Sequence, residues 1–328
     1  MSLWHTLRQQ FGKKTPAGTP TSAASAANLI VPAAVEEPSP PPASATEEAP
    51  SPSSVPVPHT IMLDVGALSD VGRVRTRNED RFLVLRTMTG SSSAEPLLLG
   101  LFVVADGMGG QVDGDTASEV AVRTIAAHAL KDLPSLAASG SRPIQEVLTE
   151  AVLAAHKAIL DYPTGPQGSP HAANSEGMGT TATVALLVGA TLYLAHVGDT
   201  RVYMLDAAGL HLLTRDHSLV GRLLELGQLT PEEAQRHPQR NVLYRALGQS
   251  DELTVEAYYR RLAGVSHLLL CSDGLWGLVP EAEIIRIVRT TTGAQVACEA
   301  LIDAANDAGG EDNITAILLA LPRSISVR

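Results

Sequence analysis

Short runs rich in Val, Ile and Leu fill the chain from residue 61 onward, and acidic residues stand at the ends of several of them. Glu79 and Asp80 open RTRNEDRFLVL, Asp106 closes LFVVAD, Asp273 follows HLLLCS and Asp312 precedes NITAILLAL. Apolar runs of this length, bounded by turn residues, read as buried strands. They fall at 61–67, 80–86, 97–105, 182–188, 191–197, 201–206, 209–213, 267–271 and 313–321. Apolar residues three and four apart mark helices at 116–131, 143–160, 280–291 and 294–308. Strands come in consecutive groups and helices in pairs, without strict alternation. The expectation is therefore an α+β fold, antiparallel sheets covered by helices, and not a doubly wound parallel sheet.

Carboxylates at several strand ends can converge at one edge of a sheet, where their mutual repulsion calls for a cation. Asp106-Gly107 and Asp273-Gly274 repeat one device, in which a buried strand ends, an acid follows and glycine permits a sharp turn. Taken singly, an Asp-Gly at a strand end is usually only a turn. Two of them, joined by Asn-Glu-Asp and Glu-Asp-Asn at the starts of two other strands, point to a shared site. No His/Cys cluster has zinc spacing, and all-oxygen ligation selects Mg²⁺ or Mn²⁺. The acids carry more charge than one divalent ion cancels, so two ions sharing Asp106 are expected, a pair that activates water. Such a centre suits an anionic, phosphate-bearing substrate. Arg75, on the turn leading into Glu79 and Asp80, is placed to clamp phosphate oxygens. Arg73 and Arg77 are expected to face solvent.

The chain has 328 residues and a net charge of -11, and 3% of its residues are aromatic. That balance argues against a nucleic-acid partner, which needs clustered Lys and Arg and stacking platforms. Two cysteines are too few for a disulfide framework, so a reducing, cytoplasmic compartment is expected. The opening MSLWHTLRQQFGKK lacks the apolar core of a secretory leader. Residues 180–197 (TTATVALLVGATLYLAHV) are long enough for a membrane span, but Gly189-Ala190 breaks them and Gly198-Asp199 closes them. Two buried strands and a tight turn explain them better. Residues 1–58 hold 11 of the 21 prolines and read as a disordered, extended linker. Leu3, Trp4, Leu7 and Phe11 recur there at helical spacing, as in a short docking helix or a frayed terminus. Residues 59–328 read as one catalytic domain, and the polar stretch 216–248 within them as a lid or recognition flap.

The motifs SDVGRVRTRNED, VVADGMGGQVDGDTAS, GMGTTAT, AHVGDTRVYML, LTRDHS, LLLCSDGLWG and GGEDNIT occur in the order found in the PPM (type 2C) family of metal-dependent protein Ser/Thr phosphatases. The chain resembles the bacterial branch over about residues 61–321. The resemblance implies a four-layer αββα sandwich, two antiparallel sheets flanked by helix pairs, acting as a monomer on phosphorylated Ser/Thr proteins opposite a Ser/Thr kinase. It implies two Mn²⁺ or Mg²⁺ ions: Asp106, Asp273 and Asp312 about one, and Asp106, the Gly107 carbonyl and Glu79 through water about the other. Asp80 would position the attacking water, Arg75 would bind the substrate phosphate, and a bridging hydroxide would attack phosphorus in line. Asp199 of the GDTR motif would order a turn. A third, weaker ion is a family feature, and Glu176 is either its substitute ligand here or a surface-loop glutamate. Met108 stands where eukaryotic relatives carry a proton-donating His. The leaving-group proton then falls first to metal-bound water and second to His196. The alternatives are a pseudophosphatase that only binds phosphoproteins, and a kinase or NTPase, for which the P-loop and kinase patterns are missing.

Overall fold

The computed structural model describes residues 63–91, 94–109, 113–137, 142–162 and 178–322, all within the unit His59–Arg328. The linker 1–58, its docking-helix pattern and Glu176 lie outside the described residues. In chain order the elements are β1 (Asp64–Asp70), β2 (Asp80–Ser91), β3 (Ala94–Met108), α1 (Asp113–Ala137), α2 (Ile144–Leu160), β4 (Gly179–Thr180), β5 (Ala182–Val188), β6 (Thr191–Val197), β7 (Arg201–Leu205) and β8 (Leu210–Leu212). They continue with α3 (Leu219–Glu225), α4 (Pro231–Gln235), β9 (Glu256–Arg261), β10 (His267–Cys271), α5 (Asp273–Trp276), α6 (Glu281–Thr290), α7 (Ala294–Asp307) and β11 (Ile314–Ala320).

Two antiparallel sheets result, one ordered β1-β11-β10-β7-β8 and the other β2-β3-β5-β6-β9, with β4 paired to the end of β3. Alternation within each strand sorts side chains between two faces. Phe102 and Val104, Ala185 and Leu187, Leu268 and Leu270, and Ile317 and Leu319 meet in the core between the sheets. Their neighbours Leu101, Val103, Val184 and Leu186 pack outward against Ile125, Leu148, Val152 and Ile159 of α1 and α2. On the other sheet Leu269, Cys271, Ala316 and Leu318 pack outward against Ile284, Ile287, Leu301 and Ile302 of α6 and α7. The inner strands are therefore buried on both faces, which is why their runs read as continuously apolar. Fully burying one such side chain contributes about 1.5–3 kcal/mol. The layers are α, β, β, α, as expected.

The apolar stretch 180–197 forms β5 and β6, antiparallel from Ala182↔Val197 to Val188↔Thr191, with Gly189 at φ 56° making the turn. No helix among the described residues is long and apolar enough to cross a membrane. Three elements lacked a readable signal. β9 (EAYYRR) is an edge strand whose last residues are exposed, so it needs no apolar run. The two-residue β4 and the one-turn α5 are too short to show a period.

Candidate active site

The register of β2 on β3 sets Asp80 directly opposite Asp106. Like charges so paired repel, and only a proton or a cation relieves them. The backbone of Asp106 is fixed from β4 and its neighbour. Its N–H donates to Thr181 Oγ1 at 2.9 Å, and its carbonyl accepts from Thr181 N at 2.8 Å and Thr180 Oγ1 at 2.8 Å. This is the structural work of the GMGTTAT motif. Gly107 donates its N–H to the Glu79 carbonyl at 3.2 Å. A Cβ on Gly107 would lie 2.1 Å from Gly114 O, so only glycine lets the start of α1 press on this strand end.

The second sheet brings its acids to the same place. β10 and β11 are antiparallel neighbours, with Leu270↔Ile317 and Cys271↔Ala316 in register. Asp273, just past β10, and Asp312, just before β11, therefore stand side by side. Here too a Cβ on Gly274 would lie 2.1 Å from the Asn313 carbonyl. Asn313, part of the EDN motif but given no role by the sequence, ties the arginine-bearing turn to this sheet. Its Nδ2 donates to the Val71 carbonyl at 3.0 Å and the Arg77 carbonyl at 2.8 Å, and its Oδ1 accepts from Glu79 N at 2.7 Å. Arg75 on that turn donates from Nη2 to Asp312 Oδ2 at 2.7 Å. Arg73 and Arg77 are exposed, as expected.

Electrostatics confirm that the acids crowd. Burial raises Asp80 to about 7, opposed by hydrogen bonds from Thr315 and Ser272 and reinforced by Asp273 and Asp312. Burial, then the charges of Asp80, Asp273 and Asp199, push Asp106 well up. Asp273 rises to about 6 through burial and the Asp312 charge, held back by a hydrogen bond with Asp106. Burial also raises Glu79. For Arg75 burial works downward, but Asp312 outweighs it and the guanidinium is held charged. Asp80 Oδ1 and Asp273 Oδ1 are buried with no hydrogen-bond partner. An orphaned buried acceptor costs about 1–3 kcal/mol. Among the described residues no three His, Cys, Asp or Glu side chains are gathered as a preformed cage. The oxygen-only donors and the orphaned lone pairs fit hard divalent cations.

Asp199 does more than the sequence suggested. It makes the turn after Gly198 (φ 112°), and its carbonyl accepts from Trp276 Nε1 at 3.1 Å. The residue is also only 6% exposed, and its carboxyl is driven well above the usual range by burial and by Asp273. It thus belongs to the acid cluster, and its position after an apolar strand was the available signal. A pocket of about 690 Å³ opens here, lined by Arg75, Asp199, Asp273 and Asp312 and walled by Val220 and Arg236 of the flap. Arg201 holds Asp216 through Nε at 3.0 Å and Nη2 at 2.6 Å, and lies 3.5 Å from the centroid of the Trp276 ring.

His196 is excluded as a proton donor. It is fully buried, burial holds it near 3, and Thr183 at 2.8 Å and the Arg215 carbonyl at 3.0 Å occupy its ring nitrogens. Met108, beside the acids, contacts Gln249 Nε2 at 3.1 Å and has no proton to give.

The protein phosphatase 2C family model matches residues 74–292. The Listeria innocua serine/threonine phosphatase stp is 36% identical over 251 residues, covering 76% of this chain and 93% of that protein. The Streptococcus pneumoniae protein phosphatase PhpP is 34% identical over 259 residues, 79% of this chain and 98% of that one. Among solved structures, the Mycobacterium tuberculosis serine/threonine phosphatase PstP/Ppp superposes with a TM-score of 0.64 at 33% identity, covering 79% of this chain and 98% of its own. The chain belongs to the protein phosphatase 2C family of serine/threonine phosphatases. It is a metal-dependent phosphoric monoester hydrolase, and the reading as a silent phosphoprotein-binding module finds no support among these relatives. A PstP catalytic domain, 31% identical with a TM-score of 0.63, was solved in complex with two manganese ions.

Proposed function

We propose that the chain removes phosphate from phosphoserine and phosphothreonine in proteins at this acid cluster. The observation that carries it is the convergence of Asp80 and Asp106 from one sheet with Asp273 and Asp312 from the other, leaving buried carboxylate oxygens unpartnered. Asp106, Asp273 and Asp312 would hold one Mn²⁺ or Mg²⁺, and Asp106, the Gly107 carbonyl and Glu79 a second. Bound there, the ions supply Lewis acidity and make water nucleophilic at neutral pH. Arg75 binds the phosphate oxygens, its charge secured by Asp312. Asp80 orients the attacking water through Oδ1, since Oδ2 is already engaged by Ser272 and Thr315. The flap-walled pocket receives the polypeptide flanking the phosphorylated residue. With His196 sealed in the core and Met108 aprotic, the leaving alkoxide takes its proton from water.

This chemistry lies within residues 59–328 and needs none of residues 1–58. Cys271 and Cys298 are buried thiols, which supports a reducing, cytoplasmic setting. There the monomeric enzyme would oppose a Ser/Thr kinase.

The test is hydrolysis of an aryl phosphate and of a phosphothreonine peptide across a metal series. Turnover should require Mn²⁺ or Mg²⁺, stop with EDTA and return with added Mn²⁺. Turnover indifferent to EDTA would sink the proposal. A second expectation concerns Arg75→Lys. Losing one charge-assisted hydrogen bond costs about 1.5–3 kcal/mol, so KM for the aryl phosphate should rise about tenfold or more. Steady-state kinetics check this, and an unchanged KM would remove Arg75 from the phosphate site.

A further inference from the structure

Asp80 is gripped by a chain of donors whose directions are all fixed. Its Oδ2 accepts from Ser272 Oγ at 2.7 Å and from Thr315 Oγ1 at 2.6 Å. Ser272 Oγ accepts from the Thr315 N–H at 2.9 Å, which leaves its one proton for Asp80. The competing Asn313 carbonyl is distant at 3.4 Å. Thr315 Oγ1 lies 2.8 Å from Ser69 Oγ, and Ser69 Oγ accepts from Asn78 Nδ2 at 2.8 Å. An amide N–H₂ only donates, and each hydroxyl has a single proton. With Thr315 donating to the carboxylate, the chain must run from Asn78 to Ser69 to Thr315 to Asp80. Asn78 also accepts the Asp80 N–H on Oδ1 at 3.1 Å, closing a ring across β1, β2 and β11. Ser272 and Thr315 are fully buried, Asp80 is 2% exposed, and its Oδ1 has no partner.

We propose that Ser272, Thr315, Ser69 and Asn78 are positioning residues for the phosphatase reaction. They saturate one oxygen of Asp80 and leave Oδ1 as its only acceptor with capacity to spare. The proposal rests on the reading that Asp80 orients the attacking water. Two donors on one oxygen resist rotation of the carboxylate plane, and in a buried setting each bond is stronger than in water. The ring then fixes where Oδ1 points before substrate arrives. Misplacing a catalytic group by about 1 Å can cost about a hundredfold in rate.

The test compares wild type with Thr315→Val, which keeps the shape and suits a strand, and Thr315→Ser, which keeps the hydroxyl. With Mn²⁺ and an aryl phosphate, Thr315→Val should lower kcat by about 10–100-fold, as loss of an outer hydrogen-bond partner does. KM and the Mn²⁺ affinity of the metal-free protein, measured by titration calorimetry, should stay close to wild type. Thr315→Ser should recover most of kcat. Ser69→Ala, one link further out, should give a smaller loss of kcat and serves if Thr315→Val melts too low to assay. Unchanged kcat, a fall in Mn²⁺ affinity parallel to kcat, or failure of serine to rescue would overturn the proposal. If wild type turns over and these variants match it, the positioning role alone falls. No turnover in wild type would bring down the underlying reading and the proposal together.

Discussion

Asp106→Asn is expected to abolish Mn²⁺-dependent turnover while raising the melting temperature of the metal-free protein. Asp106 faces Asp80 across the β2–β3 ladder, and Asp273 and Asp199 also press on it. An asparagine there removes one member of a mutually repelling set without changing its size. Each 1 kcal/mol so relieved shifts the midpoint by about 2–4 °C for a domain of about 150–250 residues. The same change removes the carboxylate proposed to serve both ions. Activity should fall by more than about a hundredfold, beyond the usual loss of a supporting residue, and added Mn²⁺ should no longer raise the midpoint. A variant that melts lower without metal would contradict the repulsion argument. A variant that still gains the wild-type Mn²⁺ shift would contradict the ligand assignment.

Stabilisation by Mn²⁺ is expected to grow as pH rises from about 5.5 to about 8, across the range where the folded carboxyls titrate. Asp273 at about 6 and Asp80 at about 7 hold protons in the folded protein where an unfolded aspartate, near about 3.9, has lost them. Their contribution to metal-free stability is therefore fully present only below about pH 3.9 and is lost as pH rises from there through 6 and 7. A cation takes the place of those protons, and each proton displaced changes the binding free energy by about 1.4 kcal/mol per pH unit. Ligand at about 100 times its dissociation constant stabilises by about 2.7 kcal/mol, so the effect should be plain in a thermal melt. His156, His196, His217 and His267, all lowered by burial, titrate in the opposite sense. They lose stability as pH falls below about 6.5, with and without metal, so the difference between the two melts isolates the acids. A Mn²⁺ shift that is flat with pH, or larger at acid pH, would refute the link.

The layered fold was legible because every inner strand is buried twice. Residues 182–188, 191–197 and 267–271 match β5, β6 and β10 end to end. The elements that escaped are those whose partners, not their own residues, define them: β9 at a sheet edge, β4 as two residues on the end of β3, and α5 as a single turn after Asp273. The site divided in the same way. The acids could be read because each sits at the end of an apolar run. Ser69, Asn78, Ser272, Thr315 and Asn313 could not, since nothing in a lone hydroxyl or amide says that it will meet Asp80 or the Arg75 turn. Those contacts join residues as far apart as Asp80 and Thr315, and only the sheet register brings them together.

The position of β11 carries a consequence for biosynthesis. It lies between β1 and β10, pairing Asp64 with Ala320 on one side and His267 with Ala320 on the other. A growing chain can assemble the sheet β2-β3-β5-β6-β9 once residue 261 has emerged. At that stage it carries Glu79, Asp80 and Asp106 but neither Asp273 nor Asp312. The hydroxyl of Thr315 and the amide of Asn313 are missing as well. Dephosphorylating capacity should thus appear in one step, when β11 is inserted between β1 and β10.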